Sequence, residues 1–250
     1  MYKYKNLTLI GTSHIAKESL KQVSETIERL QPSVVCVELD KNRYIGLMEK
    51  KERKITLSSI KSIGIKGYIF ALIGQYVQKK LGKMVGVEPG ADMLAAVESA
   101  KKIQARVALI DQDLSITLKN FSNRLSWKER WQFVKDIFRA IFFRKKMIKE
   151  LGVENFDLSK VPSNEIIKKM LKQLKKNYPN IYSVLIEERN QIMSKNIYGL
   201  MNHFPDHEIV AVIGAGHEED MLELIKQRFE QSALDHDSEK PDKTSTPKHH

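Results

Sequence analysis

Four short runs, NLTLIG, SVVCVEL, ARVALID and EIVAVIG, constrain this chain more than any other feature. Each is dense in aliphatic and β-branched residues and reads as a buried strand. Helical patterns lie between them. AKESLKQVSETIERL repeats its apolar residues at helical spacing. Pro32 then opens the second run, because it could not sit inside the preceding helix. DKNRYIGLMEKK begins with Asp40, a residue type suited to an N-cap, and ADMLAAVESAKKI is rich in helix formers. Strand, helix and strand in such short units predict an α/β fold with a mostly parallel central sheet and helices packed on it. From about 118 to 200 the pattern becomes largely helical, a helical insertion or a helical half of the domain. EIVAVIG then returns to strand, and EEDMLELIKQRFE closes the fold as a helix. These segments define one domain over 1–230. The last stretch, 231–250, holds too few apolar residues to order itself and is expected to be a disordered tail.

The chain has 250 residues, enough for a sizeable core. Its net charge of +11 is concentrated in EKKERKITLSSIKSIGIK and FRAIFFRKKMIKE, which read as solvated helix faces. No RNA-binding signature, zinc finger or helix-turn-helix accompanies them, so no nucleic-acid partner is expected. The same basic, amphipathic stretches leave peripheral membrane contact open, and self-association stays open as well. The single cysteine, Cys36, excludes an intramolecular disulfide and suits a reducing compartment. Its valine neighbours make it a small core residue rather than a catalytic thiol. With no signal-peptide pattern and no apolar run near the ~20 residues of a membrane span, the expected location is cytoplasmic.

Chemistry gathers where the strands end. The first run ends in Gly11-Thr12-Ser13-His14, the second in Glu38-Leu39-Asp40, the third in Asp111-Gln112-Asp113 and the last in Gly214-Ala215-Gly216-His217. A parallel sheet brings its carboxyl ends to one edge, and ligands bind in the crevice outside it. Two imidazoles and several carboxylates on one rim suit a divalent metal or acid–base chemistry. In each Gly-x-x-His, the glycine permits a sharp turn or a close approach to a ligand. Glu38 follows a buried valine run, where a carboxylate needs a cation or a salt bridge, for instance to Arg43. Glu88 lies beside Pro89 and Gly90 in a turn before a helix, whose start Asp92 is placed to cap. Glu187 and Glu188 precede Arg189, which either pairs with them or holds a substrate carboxylate or oxyanion.

GTSHIAKESLKQVSETIERLQPSVVCVELDKNRY, PGADMLAAVESAKKIQARVALIDQDLSITLK, LIEERNQIM and VIGAGHE together resemble the TraB/PrgY pheromone-shutdown family of the wider TraB–Tiki–GumN group. The resemblance spans residues 6 to 228, in the expected order. It implies a fold of the erythromycin esterase/ChaN kind and a metal-dependent peptidase activity. It carries the metal-ligand assignment to His14, His217 and Glu38, and marks Glu88, Asp111, Asp113, Glu188 and Arg189 as characteristic positions. Manganese or cobalt is the metal it suggests, and the donor set would also suit zinc. Many relatives have Asp-Arg-Asp where this chain has Asp111-Gln112-Asp113, so one cation is expected to be missing from the site. Many also continue into hydrophobic C-terminal spans, whereas this chain ends in a polar tail.

The expected activity is hydrolysis of a peptide bond by metal-activated water, with Glu38 or Glu88 as general base and Arg189 steadying the oxyanion. The alternative is a module that binds or sequesters a peptide, such as a pheromone, without cleaving it.

Overall fold

The computed structural model describes residues 1–12, 17–49, 90–126 and 164–238, with a few further positions between 60 and 75 and between 128 and 136. His14 and Glu88 lie outside the described residues.

The predicted strands form. β2 (Leu7–Thr12), β3 (Val34–Val37), β4 (Arg106–Leu109) and β5 (Ile209–Gly214) are parallel. A short β1 (Tyr2–Tyr4) adds an antiparallel edge, giving a five-stranded sheet in the order β1-β2-β5-β3-β4. Three residues were too few to show in the sequence pattern. β1 reaches β2 through a two-residue turn in which Lys5 takes a left-handed φ of 50°.

Strand alternation divides the core between two faces. Leu7, Leu9, Val34, Cys36, Ile209, Ala211 and Ile213 pack against α7 (Glu188–His203) and α8 (Glu218–Ser238). Their partners on α7 are Met193, Ile197 and Met201, one helical face at i, i+4 and i+8. Ile10, Val35, Val37, Val210 and Val212 face the opposite way, against Val23 and Ile27 of α1 (Lys17–Leu30) and Met93, Ala96, Val97 and Ala100 of α3 (Ala91–Lys102). The result is a sheet covered by helices on both sides. Each such aliphatic side chain contributes roughly 1.5–3 kcal/mol on burial. Cys36 is a core residue, as expected: it is fully buried, and burial pushes its thiol up to about 12.

Asp40 caps α2 (Lys41–Met48) as predicted, accepting from the N–H groups of Asn42 and Arg43 at 2.8 and 2.9 Å. Asp92 does not cap α3. Gly90 holds that position at φ 82°, and Asp92 is the second residue of the helix, in its first turn and fully buried. The helical part contains α4 (Leu114–Arg124), α5 (Asn164–Asn177) and a short α6 (Pro179–Tyr182). NIYSVLIEERNQIMSKNIYGLM is not one uniform helix, because a π-helix at Ser183–Glu187 joins α6 to α7. α8 runs on to Ser238, into the stretch whose composition reads as a tail; 239–250 lie outside the described residues. Among the described residues, no helix is long and apolar enough to cross a membrane.

Candidate active site at the carboxyl edge of the sheet

The register sets the geometry of the rim. Thr12 pairs with Gly214, and Val37 pairs with both Val212 and Leu109, so the four parallel strands finish side by side. One residue beyond Val37, alternation turns Glu38 to the face that carries α7. There it meets the guanidinium of Arg189, whose Nη2 donates to Glu38 Oε1. The other oxygen, Oε2, accepts from the Gly214 N–H at 2.6 Å. The arginine thus links β3 to α7, and the glycine links β3 to β5.

Asp111, just past β4, is the second anchor. It accepts from Arg189 Nη2 at 2.6 Å and from Arg189 Nε at 3.2 Å. On its far side Arg43 Nη2 also donates to Asp111, while Arg43 Nε donates to Asp40 at 2.6 Å. The charges therefore alternate along one ladder: Glu38, Arg189, Asp111, Arg43, Asp40. The three acids are buried and solvent reaches the ladder chiefly at Arg43, whose side chain is 30% exposed against 15% for Arg189. Burial disfavours the Arg189 charge, but Glu38 and Asp111 outweigh it and hold the guanidinium protonated beyond its ordinary range. Arg43 is raised in the same way by Asp111 and Asp40 against its own burial.

A guanidinium has five N–H donors, and carboxylates and a carbonyl of the protein take four of those on Arg189. Nη1 donates to the Leu185 carbonyl at 3.2 Å and faces His217 Nε2 at 3.4 Å. Leu185 belongs to the π-helix, a local irregularity of the kind that recurs at functional sites. Here it offers a carbonyl one turn ahead of the arginine.

His217 follows the Gly214-Ala215-Gly216 turn, and its carbonyl accepts the Met221 N–H in the first turn of α8. The ring is buried, with Nδ1 at 2.6 Å from Asn190 Oδ1 and Nε2 at 3.7 Å from Glu38 Oε1. Beside this turn a cavity of about 250 Å³ opens toward α5, lined by Lys168, Lys172, Lys175, Tyr182 and Gly216 among others.

Glu38, Asp111, Arg189, His217 and the Gly214 N–H thus meet at one place. Among the described residues, the remaining sequence candidates do not. Asp113 caps α4 through the Ser115 N–H and accepts from Asn42 Nδ2, both at 2.7 Å. Glu188 turns to α4, pairing with Arg124 and accepting from Asn120 at 2.9 Å. Gly11 lies inside β2, where its part is close approach rather than a turn: an added Cβ would stand 2.6 Å from Glu218 Oε2. Glu38 pairs with Arg189 and not with Arg43, because alternation aims it at the α7 face. Gln112 donates to Thr117 at 2.8 Å, away from the ladder, and Asp111 already has two guanidinium partners. Sequence reading missed Asn190 and the buried Thr12–Asp92 hydrogen bond of 2.5 Å.

Among the described residues, no group of three or more His, Cys, Asp and Glu side chains forms a metal-holding cluster. His217 Nε2 and Glu38 Oε1 stand 3.7 Å apart, with Arg189 bonded to the same carboxylate oxygen.

Fold and site define an α/β protein with a buried ionic ladder and a histidine at the carboxyl rim of its sheet. The chain belongs to the TraB/PrgY/gumN family, whose model matches residues 3–228. An uncharacterized protein of Methanocaldococcus jannaschii is 31% identical over 227 residues, which cover 89% of this chain and 54% of that one. TraB domain-containing proteins of Bos taurus and Mus musculus are 23% and 22% identical over 194 residues, 73% of this chain and 49% of each relative. The chain therefore spans about half the length of these relatives.

Proposed function

We propose that the protein is a metal-dependent hydrolase acting on peptides. The observation that carries this reading is the meeting of His217, Glu38 and Arg189 at the sheet's carboxyl edge, beside a cavity with room for a polar chain. His217 Nε2 and Glu38 would hold the divalent cation, manganese, cobalt or zinc, with His14 as the expected third ligand. When bound, such a cation lowers the pKa of water and polarises a carbonyl. Both oxygens of Glu38 are engaged by Arg189 and Gly214, which makes it a poor proton acceptor, so this reading gives general-base work to Glu88. Arg189 chiefly orients the two acids. Its Nη1 has the longest and least committed hydrogen bond, toward His217, and is the donor a substrate oxyanion would share.

A second reading draws on the same arginine. With four of its five donors already taken by the protein, the arginine serves equally well in a fixed floor under a peptide that is bound and not cut. Incubating the protein with a peptide mixture and manganese, then reading new termini by mass spectrometry, separates the two. Cleavage that stops with chelator, with His14→Ala and with His217→Ala is the expected result. Intact peptide that co-purifies with the protein, and no new termini under any metal, would sink the hydrolase.

A further inference from the structure

Asn190 is fully within the core, 1% exposed, yet it is the immediate neighbour of Arg189 on α7. Its amide touches two polar groups. Oδ1 lies 2.6 Å from His217 Nδ1, and Nδ2 donates to Asp220 Oδ2 at 3.5 Å. The second contact decides the first. Turning the amide over would set its carbonyl oxygen against the Asp220 carboxylate, acceptor against acceptor, and its NH2 against the ring. Tyr182 supports the same arrangement by donating its hydroxyl to Asp220 Oδ2 at 3.5 Å. An amide oxygen can only accept, so the ring nitrogen facing it must carry a proton.

We infer that Asn190 is a positioning residue for His217, fixing the neutral imidazole as the Nδ1–H tautomer and turning the Nε2 lone pair toward Glu38 and Arg189. The other side of the ring agrees with this. A donor, Arg189 Nη1, stands there at 3.4 Å from Nε2, and the acceptor Glu38 Oε1 stands off at 3.7 Å. Asp220 acts one step further back, by orienting the amide. A histidine that ligates metal commonly gives its second N–H to an acceptor, which fixes the tautomer and aims the free nitrogen. Here that acceptor comes from the same helical turn as the arginine of the ladder, so α7 sets both the charge pairing and the ring. The purpose of this arrangement rests on the metal-site reading above; its geometry does not.

The test is the imidazole 15N spectrum of the metal-free protein at a pH where the ring is neutral, with His217→Gln to assign the signal. Wild type is expected to show a protonated Nδ1 and a bare Nε2. Asn190→Asp, made together with Asp220→Asn so that a donor still faces an acceptor behind it, keeps an acceptor at the ring and should preserve that pattern. Asn190→Leu, similar in volume but without an acceptor, should shift most of the population to the Nε2–H form. A wild-type ring protonated at Nε2 overturns the inference without recourse to any variant, and so does an unchanged tautomer in a folded Asn190→Leu protein. Manganese titration forms a second arm: affinity should fall roughly 10–100-fold in Asn190→Leu and far less in the double variant. Absence of manganese binding in wild type, with the tautomer responding as described, refutes the metal reading and supports the positioning role. Tight manganese binding with an unresponsive tautomer refutes the positioning role and supports the metal reading.

Discussion

At the end of β5 the Gly214 N–H donates to Glu38, a buried carboxylate brought from the neighbouring strand. At the end of β2 the Gly11 N–H donates at 3.1 Å to Glu218, a buried carboxylate brought from α8. Each glycine opens a Gly-x-x-His segment, and each offers its backbone to an acid. The two ends differ in how the acid is neutralised. Glu38 is locked to a buried guanidinium within a five-member ladder, whereas Glu218 pairs with the amino group of Met1, which is 43% exposed. Thr12 adds a second buried carboxylate at the β2 end by donating to Asp92 across to α3. One sequence motif therefore sits on two electrostatic foundations: the β5 end is charge-paired in the interior, and the β2 end pairs its acid with an amino group at the surface and packs it closely against the glycine.

Breaking the β5 end should cost most. Arg189→Leu leaves Glu38 a buried carboxylate without its guanidinium and takes from Asp111 one of its two, and is expected to lower stability by roughly 3–5 kcal/mol, read as a shift of the urea midpoint. The β2 end should yield less to an equally pointed change. Gly11→Ala forces a methyl against the Glu218 carboxylate, with an expected loss of about 1–3 kcal/mol from overpacking. Gly216→Ala, whose methyl would meet nothing nearer than Leu171 at 3.8 Å, should stay within about 0.5 kcal/mol. Equal losses in the two variants would show that the approach of Glu218 is not what requires a glycine at 11. Thr12→Val keeps the shape but removes the hydroxyl from Asp92, and should cost roughly 1–3 kcal/mol; an unchanged midpoint would remove Asp92 from the account of this strand end.

Glu129 sharpens the comparison from outside both ends, because only neutral groups serve it: Ser126 by N–H and hydroxyl, and Asn180 by N–H and amide. Burial raises its pKa, but the bonds from Asn180 and Ser126 prevail and hold it below the ordinary carboxylate value. A depressed folded-state pKa gives stability that is present above the unfolded value and lost as pH falls through the folded one. Glu129→Gln should therefore flatten the acid limb of the stability–pH curve and narrow its gap to wild type at low pH. A gap that stays constant across the acid range would exclude the linkage. Smallest of all, Lys102→Ala on the exposed Glu28–Lys102 pair should change stability by less than about 1 kcal/mol.

The parts of this architecture visible in the sequence were those with a period or a boundary. Continuous aliphatic runs announced the parallel strands, and the polar residues just past them announced Glu38, Asp111 and Gly214, since strand geometry leaves such residues one place to go. Arg189 was legible as an oddity beside two acids, but its partners were not, because they lie on other strands. Asp113 and Glu188 show the opposite error. Their residue types suit a site, yet each was claimed locally, by a helix cap and by a neighbouring helix. Asn190 sits in a mostly polar stretch with no periodic signal, and its meaning arises only when α7 crosses the start of α8. Ser126-x-x-Glu129 carries the pattern of a capping box, with Ser126 Oγ accepting the Glu129 N–H at 3.2 Å, and could have been read directly.

The π-helix gives the chain between Tyr182 and Arg189 a length that matters in itself. A π turn accommodates one residue more than an α turn would over the same axial span. The extra residue is thus absorbed on the spot, and its removal would let the segment relax to α-helix with the flanking turns still in phase. A further residue inserted before Arg189, with no second bulge to absorb it, would instead swing everything after it by about 100° around the axis. Arg189 would leave the acids, Asn190 would leave the ring, and Met193, Ile197 and Met201 would turn away from the sheet. Spacing along this one helix is thus under tighter constraint than the identity of most residues within it, so the segment should tolerate many substitutions, and the loss of its extra residue, better than a further insertion.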